Sequence, residues 1–167
     1  MIRLLARREG GLIPLARHLK AAGLKGLWTG RLRAIVRGNG IPPWKVVEQI
    51  GRACNVVDFT EVRRDWTSRY RAALQRSFAS PLGVEVRLLI AEQAATLRAF
   101  SPRLGFNASV LVRDLQRIDT DQPLRWFHIE RILRAAGLRE EEERWKEIHA
   151  LWYTAAERNG RAHRPQH

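Results

Sequence analysis

The chain has 167 residues, with 30 Lys or Arg against 17 Asp or Glu, which leaves a net charge of +13 and a pI near 11.4. Its 45% hydrophobic content is enough for one or two small cores and excludes a disordered basic tail. So large a positive charge on so short a chain points to a polyanionic partner, nucleic acid before anionic membrane.

Helical spacing and capping residues predict helix almost throughout, and no stretch alternates as a strand would. A helix over 12–22 closes at Gly23. Thr29 is placed to cap a second helix that ends at Gly38, and Asn39-Gly40-Ile41-Pro42-Pro43 reads as a turn. The segment 44–54 follows, with Val47, Ile50 and Cys54 on one face. Asp58 or Thr60 opens a long helix through Trp66, Tyr70 and Leu74. Ser80-Pro81-Leu82-Gly83 marks the expected domain boundary. Beyond it come a helix over about 84–99, a break at Ser101-Pro102, and a helix from Asn107 as cap to about Arg117. A polar loop carries Asp119, Asp121 and Pro123. A helix over 125–136 stops at Gly137. The last helix starts near Arg139, with Glu140 to Glu143 in its first turn, where carboxylates suit the positive end of the helix dipole. Residues 159–167 read as a flexible tail.

The charge is uneven. Residues 1–80 hold 16 basic and 5 acidic side chains, a net of +11, whereas residues 81–167 hold 14 and 12, a net of +2. Of the basic residues 26 are Arg and 4 are Lys. Arg pairs bidentately with phosphate and guanine, which suits nucleic acid; codon usage in a GC-rich genome is the competing source of the Arg excess, though not of the net charge. The single cysteine, Cys54, excludes an internal disulfide scaffold and a Cys-based zinc site. The longest runs free of charged residues, 104–112 and 148–156, span nine positions, too few for a membrane helix of about 20. The N-terminus lacks the apolar segment of a secretory signal, so a cytoplasmic, nucleoid-associated location is expected.

Self-comparison shows a diverged repeat. LWTGRLRAIVR (27–37) aligns with FNASVLVRDLQ (106–116) at an offset of 79, pairing Leu32 with Leu111. WKVVEQIGRACNV (44–56) aligns with WFHIERILRAAGL (126–138) at 82, pairing Trp44 with Trp126, Glu48 with Glu130 and Ala53 with Ala135. A return to 79 pairs Trp66 with Trp145, so three residues would be missing from the second copy after Leu138. The tryptophans read as core anchors.

The motif with functional content is a helix–turn–helix: 12–22, the turn Gly23-Leu24-Lys25-Gly26, and 29–37. Such a pair places its second helix in the major groove. Leu32, Ile35 and Val36 form that helix's core stripe. Thr29, Gly30, Arg31, Arg33, Ala34 and Arg37 face outward as base-reading candidates, Arg for guanine and Gly or Ala for close backbone approach. Arg7, Arg8, Arg17, Lys20 and Lys25 are the phosphate candidates that would set the register. A basic solvated helix in an ordinary bundle is the competing reading.

The ordered segments GLIPLARHLKAAGL, WTGRLRAIVRGNG, IPPWKVVEQIGRACNV and RRDWTSRYRAA resemble the helix–turn–helix proteins of the lambda-repressor or xenobiotic-response-element class, in their actinobacterial form. Arg37-Gly38, Pro43-Trp44, Ala53-Cys54 and Trp66 carry the resemblance over about 10–75, and more weakly over 85–155. Asn55 stands where that family usually has Gly, a residue that also tolerates a left-handed helix cap. The resemblance implies five-helix DNA-binding bundles in tandem, here 1–80 and 81–158, and duplex binding by the helix after the turn.

In the second copy Asn107, Ser109, Arg113, Gln116 and Arg117 are the DNA candidates, and Asp114 would repel phosphate. That copy either binds a neighbouring groove or has become a dimerisation or partner domain. No catalytic residue, metal site, cofactor or small-molecule ligand is expected. His18, His128 and His149 lack partners for a metal, His163 and His167 lie in the tail, and Cys54 reads as core. The expected function is a sequence-specific double-stranded DNA-binding protein acting in transcription regulation. The alternatives are a nucleoid-coating DNA binder without sequence preference and a protein–protein adaptor or antitoxin-like protein acting through 81–158.

Overall fold

The computed structural model describes residues 1–37, 40–120, 122, 124–158. Gly38, Asn39, Asp121, Pro123 and the expected tail, with His163 and His167, lie outside the described residues. Among the described residues the protein is all-helical, with ten α-helices, one 3-10 helix and no strand. None of those helices is long and apolar enough to cross a membrane. The chain divides into two compact units, Met1–Arg69 and Tyr70–His167. The division falls inside a helix, eleven positions before the Ser80-Pro81 punctuation.

The first unit contains α1 (Ile2–Arg8), α2 (Leu12–Ala21), α3 (Thr29–Val36), α4 (Trp44–Ala53) and the larger part of α5 (Thr60–Ser77). Its core joins Leu5, Leu15, Leu19, Leu27, Leu32, Ile50 and Cys54. Leu15 and Leu19 stand one turn apart on α2, and Leu32 reaches them from α3, so one helix face from each side closes the interior. Gly23, with φ +82, ends α2 where a residue with a Cβ would be strained. Thr29 does not cap α3. It is the first helical residue, and the position before it belongs to Trp28, whose side chain makes no cap bond. The Asp58 carboxylate accepts the Thr60 amide at the start of α5.

The second unit takes the end of α5 and adds α6 (Pro81–Gln93), α7 (Leu97–Phe100), a 3-10 turn (Ser101–Leu104), α8 (Ala108–Asp119), α9 (Trp126–Ala135) and α10 (Glu143–Arg158). Residues 80–83 are the start of a helix rather than a linker: the Ser80 hydroxyl accepts the Gly83 amide, and Pro81 takes the first position, where no amide donor is missed. The helix expected over 84–99 therefore begins earlier and stops at Gln93, because Thr96 opens the separate α7 with its own cap. Leu82, Val86, Leu89 and Ile90 on α6 meet Phe100, Leu111, Leu115, Ile129, Leu133 and Ile148 in one core.

Two acidic expectations change. Asp119 closes α8 and forms a two-point ion pair with Arg87, at 2.6 and 2.9 Å, instead of lying in a polar loop. Of the four glutamates, only Glu143 lies in the first turn of α10. Glu142 accepts the Arg139 amide ahead of the helix, and Glu140 pairs with Arg134.

The same local geometry occurs in both units. Helices α4 and α9 each run ten residues from a tryptophan. Each carries a Glu–Arg pair one turn apart, Glu48–Arg52 and Glu130–Arg134. Each ends on a left-handed residue, Asn55 with φ 56 and Gly137 with φ 83, followed by an amide that reaches back to Gly51 or Leu133. This is the bonding of a Schellman cap, with Asn serving in one copy and Gly in the other.

The tryptophan register differs from the sequence alignment. Phe59 meets Trp44 edge to face at 6.0 Å, and Trp145 meets Trp126 in the same way at 6.0 Å. Trp66 donates its indole N–H to the Pro42 carbonyl at 2.8 Å, and Trp152 donates to the Leu124 carbonyl at 2.8 Å. Each acceptor lies two positions before the helix-initial tryptophan. Arg63 lies over the Trp44 ring, and His149 packs on Trp126. Residues 59, 63 and 66 thus correspond to 145, 149 and 152, an offset of 86. Four residues are gained after Trp126, where the alignment removed three, and the counterpart of Trp66 is Trp152.

Candidate nucleic-acid interface

The candidate surface is built on α2, the 22–28 turn and α3. Leu32 is fully buried and Ile35 and Val36 are half-buried, so the opposite side of α3 faces solvent. Arg31, Arg33 and Arg37 are exposed there, while Ala34 and Thr29 are half-buried. Arg33 and Arg37 make no ion pair or side-chain hydrogen bond with the described residues; Arg31 makes only a 3.5 Å contact with the Gly26 carbonyl. Arg17 and Lys20 are exposed on α2, Lys25 in the turn and Arg7 at the end of α1, again without carboxylate partners among the described residues.

Arg8 is different. Its guanidinium donates to the Cys54 carbonyl and lies 3.7 Å from Glu9. His18 extends this arrangement: Nε2 donates to the Ala53 carbonyl at 2.7 Å, and Nδ1 faces Glu9 at 3.3 Å. Arg8 and His18 thus tie α1 and α2 to the last carbonyls of α4, which gives Arg8 a bracing role that the other phosphate candidates lack.

Gly30 does not offer bare backbone. A Cβ built there would stand 1.9 Å from Cζ3 of the Trp28 indole. Trp28 is 67% exposed. It is therefore not a core anchor, unlike the buried Trp44, Trp66 and Trp145. Two further features bear on this surface. Arg3 donates to the Val36 carbonyl at 2.7 Å and so ties α1 to the end of α3. The sequence between Glu9 and Glu48 contains no acidic residue at all while carrying seven basic ones, a signal available from a simple count.

On α8 the row Ser109, Val112, Arg113, Gln116 and Arg117 is exposed. Asn107 is engaged in capping: its Oδ1 accepts the Val110 amide at 3.2 Å and the Ser109 hydroxyl at 2.6 Å. Asp114 does not face the row. It is 2% exposed and accepts from His128 Nδ1 at 3.2 Å. Where the first unit has the ten-residue α2, the second has the four-residue α7 and a 3-10 turn. Arg131 crosses between Phe106 and the exposed Phe127, at 5.1 and 5.5 Å from their ring centres.

Cys54 is fully buried, and burial pushes its thiol above the ordinary value. No group of His, Cys, Asp and Glu that could hold a metal occurs among the described residues. Compared with protein-family models, curated proteins and solved structures, the chain matches none.

Proposed function

We propose that the chain binds double-stranded DNA with sequence preference, as a transcriptional regulator. In this reading the two units are tandem helix–turn–helix bundles, α3 of the first unit enters the major groove, and the protein works in the cytoplasm on the nucleoid. The observation that carries the reading is the set of three exposed guanidinium groups, Arg31 and Arg33 on the two flanks of the solvent face of α3 and Arg37 at its end. These three Arg residues stand on the solvent side of a helix anchored by Leu32, within a stretch of chain that has no carboxylate to neutralise them.

The mechanism follows from charge and geometry. Arg7, Arg17, Lys20 and Lys25 neutralise phosphates and set the register. Arg33 and Arg37 reach base edges, where a guanidinium can bridge O6 and N7 of guanine. In the second unit, the acid-free outer face of α8 supports contact with a neighbouring groove of the same duplex, a linkage that raises affinity through effective concentration.

The test is selection from random duplexes, followed by titration at several salt concentrations. Affinity should fall with a log–log slope of about −0.9 per phosphate neutralised. Lys25→Ala should weaken all duplexes alike and shorten that slope by about one phosphate. Arg33→Ala should relax preference at one base pair by about 1–3 kcal/mol. Identical behaviour of the two variants on selected and random duplexes would refute base reading. A selection that enriches no motif would favour nucleoid coating.

A further inference from the structure

We infer that Trp28 gives this surface an apolar contact to the 5-methyl group of a thymine, beside the base pair read by Arg33. The inference rests on α3 entering the major groove. Trp28 stands immediately before the first residue of α3, and its six-membered ring reaches over Gly30. Gly30 is what permits this: any Cβ at that position would overlap the ring. The indole is thus held at the outer side of the first turn of α3, with two thirds of its surface open to water.

Single apolar side chains are common on protein surfaces; Trp28 is set apart by its place, since Gly30 leaves room for its ring on the outer side of the first turn of the helix proposed for the groove. The surrounding surface decides which kind of partner fits it. Lys25, Arg31 and Arg33 lie within five positions of Trp28, and the nearest carboxylates in sequence are Glu9 and Glu48. Such a rim disfavours a basic or neutral protein face and favours a duplex. In the major groove the base edges present donors and acceptors, and their one apolar group is the thymine methyl. An indole carried on a groove helix has that group as its matching chemistry.

The experiment uses the full chain and the duplex enriched from the random selection. Each thymine is replaced in turn by deoxyuridine, which removes the methyl and nothing else. At one position the wild type should lose about fourfold in affinity, the factor that burial of one methyl group corresponds to. Trp28→Ala should bind the methylated and unmethylated duplexes alike while keeping the salt slope of the wild type. Gly30→Ala should do the same by pushing the indole aside, and it guards against a folding defect because Ala favours helix over Gly. An enriched site without thymine, indifference of the wild type to every replacement, or methyl discrimination retained in both variants would overturn the inference and leave the DNA reading intact. Failure of the wild type to bind any duplex would overturn both, and that result appears before a single methyl is removed.

Discussion

Replacing Trp66 and Trp145 by Phe, one at a time, separates two registers of the repeat. Aligned by sequence, the two residues are counterparts and the substitutions should cost the same. In the structure they differ. Trp66 Nε1 donates to the Pro42 carbonyl at 2.8 Å in a buried environment, whereas Trp145 corresponds to Phe59, a ring that already lacks an N–H. Both substitutions remove the same ring atoms from sites only 4–6% exposed, so the loss of apolar contact, on the order of 1 kcal/mol, falls on both. Trp66→Phe in addition leaves a buried carbonyl without its donor, which costs about 1–3 kcal/mol. Trp145→Phe should therefore be the milder change by that amount. Urea unfolding followed by far-ultraviolet circular dichroism reads the difference as a midpoint lower by roughly 1 M for Trp66→Phe, given a slope of about 1–3 kcal/mol per molar. Trp152→Phe serves as the matched control, with a smaller loss because its bond to Leu124 is only partly buried. Equal midpoints for Trp66→Phe and Trp145→Phe, or a lower one for Trp145→Phe, would refute the register.

Three further outcomes follow. Asn55→Ala should cost about 1–2 kcal/mol because φ 56 is left-handed, while Asn55→Gly should be neutral or stabilising; thermal melts check both. Hydrogen bonds from Lys45 and then Arg52 hold the Glu48 carboxyl below its ordinary value of 4.5. The stabilisation is therefore complete above that value and disappears as pH falls through the lower folded value. With both basic partners substantially exposed, the effect should stay below about 1 kcal/mol. Glu48→Gln should flatten the acid limb of a stability–pH curve by that amount. Cys54 should resist alkylation in the folded protein and react when urea unfolds the first unit, as mass spectrometry would show, because burial both shields the thiol and keeps it protonated.

Much of the candidate surface is legible in the sequence. The exposure of Arg31, Arg33 and Arg37 follows from the spacing of Leu32, Ile35 and Val36, since a helix with one apolar stripe turns its other residues towards water. Arg7 and Lys25 needed only exposure. Arg8 is harder to place, because its partner is a backbone carbonyl some 46 positions away, and carbonyls leave no mark in a sequence. Asp114 misleads for a related reason. Its position on α8 gives a charge, but the side chain is buried against its hydrogen-bond partner His128, which comes from another helix.

What the sequence determined by itself are the features set by local chemistry. These are all-helical character from periodicity, the end of α2 at Gly23, the left-handed cap at Asn55, the Asn107 cap and the concentration of charge in the N-terminal half. The helical pattern and the caps depend on residues within a turn or two of one another, and the charge distribution needs only a count along the chain. What tertiary structure decided is every property that depends on a distant neighbour. The counterpart of Trp66 is fixed by which indole reaches the carbonyl two residues before the paired tryptophan. Trp28 is exposed because Gly30 makes room for it on the outside of α3. Six identical indoles look alike in a sequence, and only packing separates the three buried ones from the one that faces water.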